Sequence, residues 1–174
     1  MGKTYGSGWF DMKPNVELLK QGTFLVIGDL MVDEYEIGSV TRISPEAPIP
    51  VLDFTKSVRM PGGAANVAMN LVGLGNDVEL VGIIGEDEAG NWLKNYLINN
   101  GVGTTGIIYA DKRPTTKKVR FSTSQQTILR VDYENTNQVE NALAIKIATF
   151  IEWHLQKNRI DGVLISDYNK GLIV

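Results

Sequence analysis

Two adjacent glycines stand directly before a run with helical periodicity in "RMPGGAANVAMNLVGLG", residues 59–75. A helix N-terminus offers unpaired amide donors, and Gly62 and Gly63 would let an anion or a sugar hydroxyl reach them. The pair is not a Walker A loop, since G-x-x-x-x-G-K-[ST] occurs nowhere in the chain. Nor is it a dinucleotide fingerprint: the spacing differs, and no short strand is read leading straight into it. On spacing alone the pair reads as a turn. Asn66 and Asn70 follow on the helix. The amide of Asn66, in the first turn, can donate to and accept from a polyol, or bond a neighbouring loop.

Asp29 and Asp33 flank the end of an apolar strand, and a carboxylate there can accept two hydroxyl hydrogen bonds from a sugar. Asp33 is the better placed of the two, because Asp29 lies closer to the strand, where it can cap the turn. Paired carboxylates also serve metals and glycosidases, but no histidine or second acidic cluster stands near these two. Lys118 and Arg120 lie two apart on an expected strand and therefore share a face, as do Arg130 and Asp132 on the next. Converging cations suit a phosphate group. The alternative is a solvated basic face paired with nearby acids, which charge alternation on an exposed strand favours. Asp167, Tyr168 and Lys170 follow the last strand, where a lysine can act as a point charge against a transferring phosphate or be ordinary surface.

Composition narrows the chemistry. Of 174 residues, 43% are hydrophobic and 21% charged, the profile of a globular domain, with a formal charge of −3. That balance provides no basic footprint for nucleic acid or for a membrane surface. Cysteine is absent and His154 is the only histidine, which excludes disulfides and thiolate metal sites and disfavours zinc sites and a Ser-His-Asp triad. No metal ligand set is read. No apolar run reaches the length of a membrane span or of a secretory core, so a cytoplasmic location is expected.

These groups need a scaffold. "TFLVIGDL" and "VELVGIIG" are short apolar runs that predict strands buried on both faces. "DGVLISDYNKG" reads as a strand running into a loop. Between the first two lie alternating stretches, "YEIGSV" and "IPVLDF", with Pro45, Pro48 and Pro50, which predict edge strands and connections in a small projecting sheet. Helices are expected in "PNVELLKQG", in "AANVAMNLVGLG" with Val67, Leu71 and Leu74 facing the core, and in "EDEAGNWLKNYLINNG" with three acidic residues in its first turn. "VENALAIKIATFIEWHL" is expected to bury Leu143, Ile147, Phe150, Ile151 and Leu155, leaving His154 without a function. "GIIYA", "TKKVRFSTS" and "QTILRVDYE" read as strands. Strands alternating with helices predict an α/β fold around a mainly parallel sheet, whose ligands bind beyond the carboxyl ends of its strands. A parallel strand followed by half a loop that stops at Val174 reads as a cut domain.

The stretches "VIGDLMVDEY", "TRISPEAPIPVLDF", "RMPGGAANVAMNLVGLG", "LVGIIGEDEAG", "RPTTKKVRF", "QQTILRVDYE" and "LISDYNKG" occur in this order from about residue 22 onward. In this combination the chain resembles the ribokinase-like (PfkB) sugar kinases, and most closely the heptose 7-phosphate kinase domain of ADP-heptose synthesis. The resemblance implies a ribokinase-like parallel sheet with flanking helices and a small β lid at about residues 34–60. It implies that Gly62, Gly63 and Asn66 contact sugar hydroxyls and that Asp33 orients the sugar. Lys118, Arg120 and Arg130, beside Asp132, become candidates for the phosphate already on the substrate, with Lys117 or Lys118 as the ligand-facing lysine. Asp167 and Lys170 fall at the phosphate-transfer end.

The implied reaction is ATP-dependent phosphorylation of the anomeric hydroxyl of D-glycero-D-manno-heptose 7-phosphate, with ATP and Mg2+ as cofactors of the intact enzyme. The lid would close over the sugar and form a homodimer contact. Rival readings are another sugar or nucleoside kinase of the fold, or a non-catalytic sugar-phosphate-binding module that dimerises. The family's Gly-Ala-Gly-Asp-type motif with its catalytic aspartate, most of its adenine site and its magnesium-linked acidic motif are not found. The resemblance places that catalytic base beyond Val174. The expectation is therefore an N-terminal portion of a kinase domain at 22–174, preceded by an arm and short helix at 1–21, without a catalytic base or bound ATP of its own.

Overall fold

The computed structural model describes residues 22–173. The expected arm and the helix in "PNVELLKQG" lie outside them. So does Val174. In chain order the elements are β1 (Thr23–Gly28), β2 (Leu30–Ile43), β3 (Pro50–Gly63), α1 (Ala64–Gly73), β4 (Asp77–Gly85), α2 (Glu88–Asn99), β5 (Gly103–Ala110), β6 (Thr116–Ser122), β7 (Thr127–Tyr133), α3 (Asn141–Lys157) and β8 (Gly162–Ser166). They form two four-stranded sheets, β5-β4-β1-β8 and β3-β2-β6-β7. Every pairing in the first is parallel. The second is mixed, with β2 and β6 parallel and the outer pairs antiparallel. The chain is α/β, as expected.

The apolar runs form the parallel sheet because both of its faces are covered. Side chains alternate along β1, so Val26 faces α1 and α2 in a core with Leu80, Ile84, Leu93 and Leu97. Leu25 and Ile27 face the other way, toward Ile147, Phe150 and Ile151 of α3. The helices keep part of their expected faces. α1 fully buries Ala64, Ala65 and Ala68, Val67 and Leu71 pack partly buried against the same core as expected, and Leu74 at its C-cap is 36% exposed. Small side chains let the helix lie close to the sheet, and Gly75 (φ 87°) ends it as expected. In α3 the buried positions are Ile147 and His154, while Leu155 is 43% exposed. His154 occupies the expected position of Leu155, stacked on Phe150 with ring centroids 5.5 Å apart.

α2 has one acidic residue in its first turn, Glu88, because Asp87 serves as the N-cap. The Asp87 carboxylate accepts from the Gly90 N–H (2.8 Å) and from the Thr115 N–H (2.8 Å), tying the helix start to the approach to β6. Burial opposes ionisation of Asp87, yet these backbone bonds and the nearby Lys117 charge prevail and hold its pKa below the usual value.

The second sheet is wider than residues 34–60. β2 and β3 make a long hairpin with Pro45 and Pro48 in its connection and Pro50 at the start of the edge strand. β6 and β7 complete the sheet, because "TKKVRFS" pairs in parallel with β2 from Met31 to Ile37. Among the described residues no helix is long and apolar enough to cross a membrane.

Candidate functional site

The carboxyl end of β1 is not followed by a loop. One residue, Asp29, separates Gly28 from Leu30, where β2 begins. Asp33 is therefore a strand residue of the second sheet, not a loop residue at a strand tip. Asp29 is buried, and its Oδ2 accepts from the backbone N–H groups of Tyr168 (2.8 Å) and Lys170 (3.1 Å). Its carbonyl accepts from the Ala64 N–H at 3.0 Å. Asp29 thus holds the start of α1 and the loop after β8 to the end of β1.

That contact explains the double glycine. Gly63 has φ 57° and ψ −135°, and a Cβ there would lie 2.3 Å from the Asp29 carbonyl oxygen. Positive φ and a backbone approach this close admit only glycine. A Cβ on Gly62 would lie 2.4 Å from Asp33 Oδ2, so the Asp33 carboxylate rests on the Gly62 backbone. No short strand leads into this pair; the 14-residue strand β3 ends on it instead, a continuation not expected from the sequence. The short alternating stretches do not reveal that β3 continues through "SVRMPGG".

Cross-strand partners point to the same side of a sheet. Met60, Asp33, Lys118 and Asp132 form one row across β3, β2, β6 and β7, and Val58, Tyr35, Arg120 and Arg130 form the next. Five of the candidate residues, Asp33, Lys118, Arg120, Arg130 and Asp132, therefore share one face. Arg120 Nη1 donates to Asp33 Oδ1 at 2.5 Å and its guanidinium lies 5.1 Å from the centre of the Tyr35 ring. Burial lowers the Arg120 pKa and the Asp33 bond and charge raise it further, for a net upward shift. Lys118 Nζ lies 3.3 Å from Asp132 Oδ2, and Arg130 also bonds Asp132. Burial opposes the Asp132 charge, but its bonds from Arg130 and Lys118 win, and its pKa falls below the usual value.

Lys117 belongs to the opposite face. It lies 3.7 Å from Glu34 and over the Tyr133 ring. Arg59 on that face bridges Glu34 (2.9 Å) to Glu88 at the start of α2. This side latches the sheet to the core, and the Asp33–Lys118 side is its opposite face.

The loop after β8 closes the other side of the site. Asp167 accepts from the Asn169 N–H (2.7 Å), and Asn169 (φ 56°) and Gly171 (φ 85°) complete a tight turn. Lys170 projects from it to the second sheet, where its Nζ meets Glu134 Oε1 at 3.0 Å and Oε2 at 2.9 Å. Asn66 lies exposed on the first turn of α1. No contact joins Asn66 or Asp167 to the cation row, so the structure gathers Asp33, Gly62, Lys118, Arg120, Arg130, Asp132 and Lys170 more tightly than those two.

Three contributors escape sequence reasoning. Spacing marks Asp29 only as a cap of the local turn, yet it anchors a loop more than a hundred residues away. Arg113 donates to the carbonyls of Asn135, Asn137 and Lys170, bracing two loops together. Burial lowers its pKa against the pull of Asp29. Glu134 stands two residues after Asp132, a period-two signal that could have placed it on the ligand-facing side. The cations of the site are all paired with carboxylates, which is what the alternative reading of a paired basic face anticipates. A phosphate group must compete with these partners. Among the described residues no His, Cys, Asp or Glu side chains cluster so as to hold a metal ion.

A profile of the pfkB family carbohydrate kinases matches residues 14–157. The chain belongs to this family. It is 42% identical over 154 residues to the bifunctional protein HldE of Helicobacter hepaticus, covering 88% of this chain and 32% of that protein. The HldE of Aliarcobacter butzleri is 40% identical over 156 residues, with 90% and 32% covered. The chain thus spans about a third of the length of these relatives. Among solved structures, a ribokinase of Cryptococcus neoformans in complex with ADP is 27% identical with TM-score 0.52, over 71% of this chain and 38% of that one. A carbohydrate kinase from Agrobacterium tumefaciens shares the fold with TM-score 0.56 at 19% identity, over 72% and 42%. The fold of this pfkB-family chain is ribokinase-like.

Proposed function

We propose that this pfkB-family chain supplies the sugar-phosphate-binding part of a kinase that phosphorylates the anomeric hydroxyl of D-glycero-D-manno-heptose 7-phosphate. The observation that carries the reading is the Asp33 carboxylate. It lies against the Gly62 backbone and beside Arg120, on the same face as Lys118 and Arg130. A carboxylate accepts sugar hydroxyls, and the guanidinium and ammonium groups next to it suit a phosphate monoester. The likeness of "TRISPEAPIPVLDF" and "RMPGGAANVAMNL" to the heptose kinases supports a heptose over other sugars. ATP and Mg2+ belong to the reading as cofactors of the intact enzyme, as does the catalytic base that the family resemblance implies. Lys170 reaches the same side as Lys118 through their shared partner Glu134, and Mg2+ has no fitting carboxylate cluster among the described residues.

Calorimetry with the heptose 7-phosphate and the unphosphorylated heptose tests this. Binding should require the phosphate, and Asp33→Ala should weaken it about tenfold or more, the scale of a lost charge-assisted hydrogen bond. Equal affinity for the two sugars would shift the reading to another sugar or nucleoside kinase of the fold. An unchanged Asp33→Ala affinity would remove Asp33 from the site. ATP alone should bind weakly or not at all, and tight ATP binding would overturn this placement of the nucleotide site.

A second reading has its own observation. Phe54 and Leu129 of the second sheet are 62% and 56% exposed, and Pro50, Leu52, Phe121, Ile128 and Leu129 line an apolar hollow. Such a surface suits a homodimer contact. A module that binds sugar phosphate and dimerises without catalysis would show a dimer by sedimentation and no turnover with ATP.

A further inference from the structure

Lys118 and Lys170 come from different parts of the fold, β6 and the loop after β8, yet one carboxylate holds both. Glu134 Oε2 is 2.9 Å from Lys170 Nζ and 3.8 Å from Lys118 Nζ. The three side chains are largely shielded, at 21%, 16% and 15% exposure respectively for Glu134, Lys170 and Lys118. Glu134 Oε2 itself is closed to solvent, while Oε1 takes the Lys170 hydrogen bond. A ligand therefore has no access to Oε2, which faces two ammonium charges instead.

The backbone around Lys170 is held just as firmly. Its N–H donates to Asp29 and its carbonyl accepts from Arg113. Arg113 also binds the carbonyls of Asn135 and Asn137, in the segment that begins at Glu134. Lys170 is thereby fixed at its main chain, and Glu134 immediately precedes a segment that Arg113 holds.

We propose that Glu134 is a positioning residue that binds the Lys118 and Lys170 ammonium groups into a single anion-recognising pair for the phosphate monoester of the sugar. The inference rests on the sugar-phosphate reading above. Its physical basis is the cost of ordering long side chains: a free lysine loses substantial rotamer entropy on binding, and two neighbouring ammoniums repel each other into solvent. A shielded carboxylate between them removes both penalties before the ligand arrives. The Glu134 charge also opposes an incoming anion, so the proposal makes a claim about sign. Positioning outweighs that repulsion.

Calorimetry on the full chain, with D-glycero-D-manno-heptose 7-phosphate and inorganic phosphate as probes, tests it. Glu134→Gln should weaken the sugar phosphate about tenfold and inorganic phosphate less, because the free ion can follow displaced lysines. In a cycle of Glu134→Gln with Lys170→Met, the double variant should bind no worse than the weaker single variant, since both act through one group. A merely structural role would give additive losses. Should Glu134→Gln fail to fold, a Lys118→Met and Lys170→Met cycle reads the same coupling, and additivity there overturns the proposal. Unchanged or tighter binding by Glu134→Gln overturns it while leaving the sugar-phosphate reading in place. No heptose phosphate binding by the wild-type chain removes both.

Discussion

Leu25 and Val26 of the parallel sheet are fully buried, whereas Phe54 and Leu129 of the mixed sheet are 62% and 56% exposed. Both sheets have four strands. They differ in what covers them. The parallel sheet carries α1 and α2 on one face and α3 on the other, so its strands can be apolar at every position. The mixed sheet is latched to the core through Arg59, Glu34 and Glu88, and its other face is free to carry Asp33, Lys118, Arg120 and Asp132. The fully buried core is concentrated in the first sheet, and the candidate ligand groups lie in the second. Asp29, Gly62 and Gly63 join them, which is why the strictest backbone geometry lies at that joint.

The contrast can be broken by substitution. Leu80→Ala in the parallel sheet should cost about 3 kcal/mol, the usual loss for a fully buried leucine, while Leu129→Ala in the mixed sheet should stay within about 0.5 kcal/mol. Urea denaturation measures both, and equal losses would mean that the sheets are not separate in stability. Gly63→Ala should cost about 2 kcal/mol, from positive φ and the approach to the Asp29 carbonyl. Since it shifts the joint, it should also weaken sugar-phosphate binding; a neutral Gly63→Ala would show that the joint tolerates a side chain.

The smallest expected effect concerns pH. The Asp87 pKa is depressed in the folded chain, so its stabilisation is present above the unfolded carboxylate pKa and is lost as pH falls through the lower, folded value. Asp87→Asn should cost about 1 kcal/mol at neutral pH, the scale of a lost N-cap, and the difference from wild type should vanish in acid. Denaturation curves from neutral pH down to strong acid check this. A difference that persists in acid would assign the loss to shape and not to charge.

The core strands are legible because "TFLVIGDL" and "VELVGIIG" admit few other structures. The glycine stop after α1 is legible for the same local reason. The face of α1 is legible only in part: Val67 and Leu71 pack on the core, but the fully buried alanines carry little periodic signal while still allowing close approach to the sheet. The width of the second sheet is not legible either: "TKKVRFS" pairs in parallel with a strand some eighty residues earlier, and no local pattern encodes that partner. Lys118 and Lys117 cannot be told apart until strand register assigns them to opposite faces.

By itself the sequence determined the α/β class, the likeness to sugar kinases and the residue types suited to a polyol phosphate, because these depend on composition, period and motif. Tertiary structure alone decided that Asp33 rests on Gly62, that Asp29 anchors a loop more than a hundred residues away, and that Glu134 sits between two lysines. Each of these is a contact between segments distant in the chain or brought together by it. Such contacts are set by how the two sheets pack and register against each other, and single-chain spacing carries no record of that.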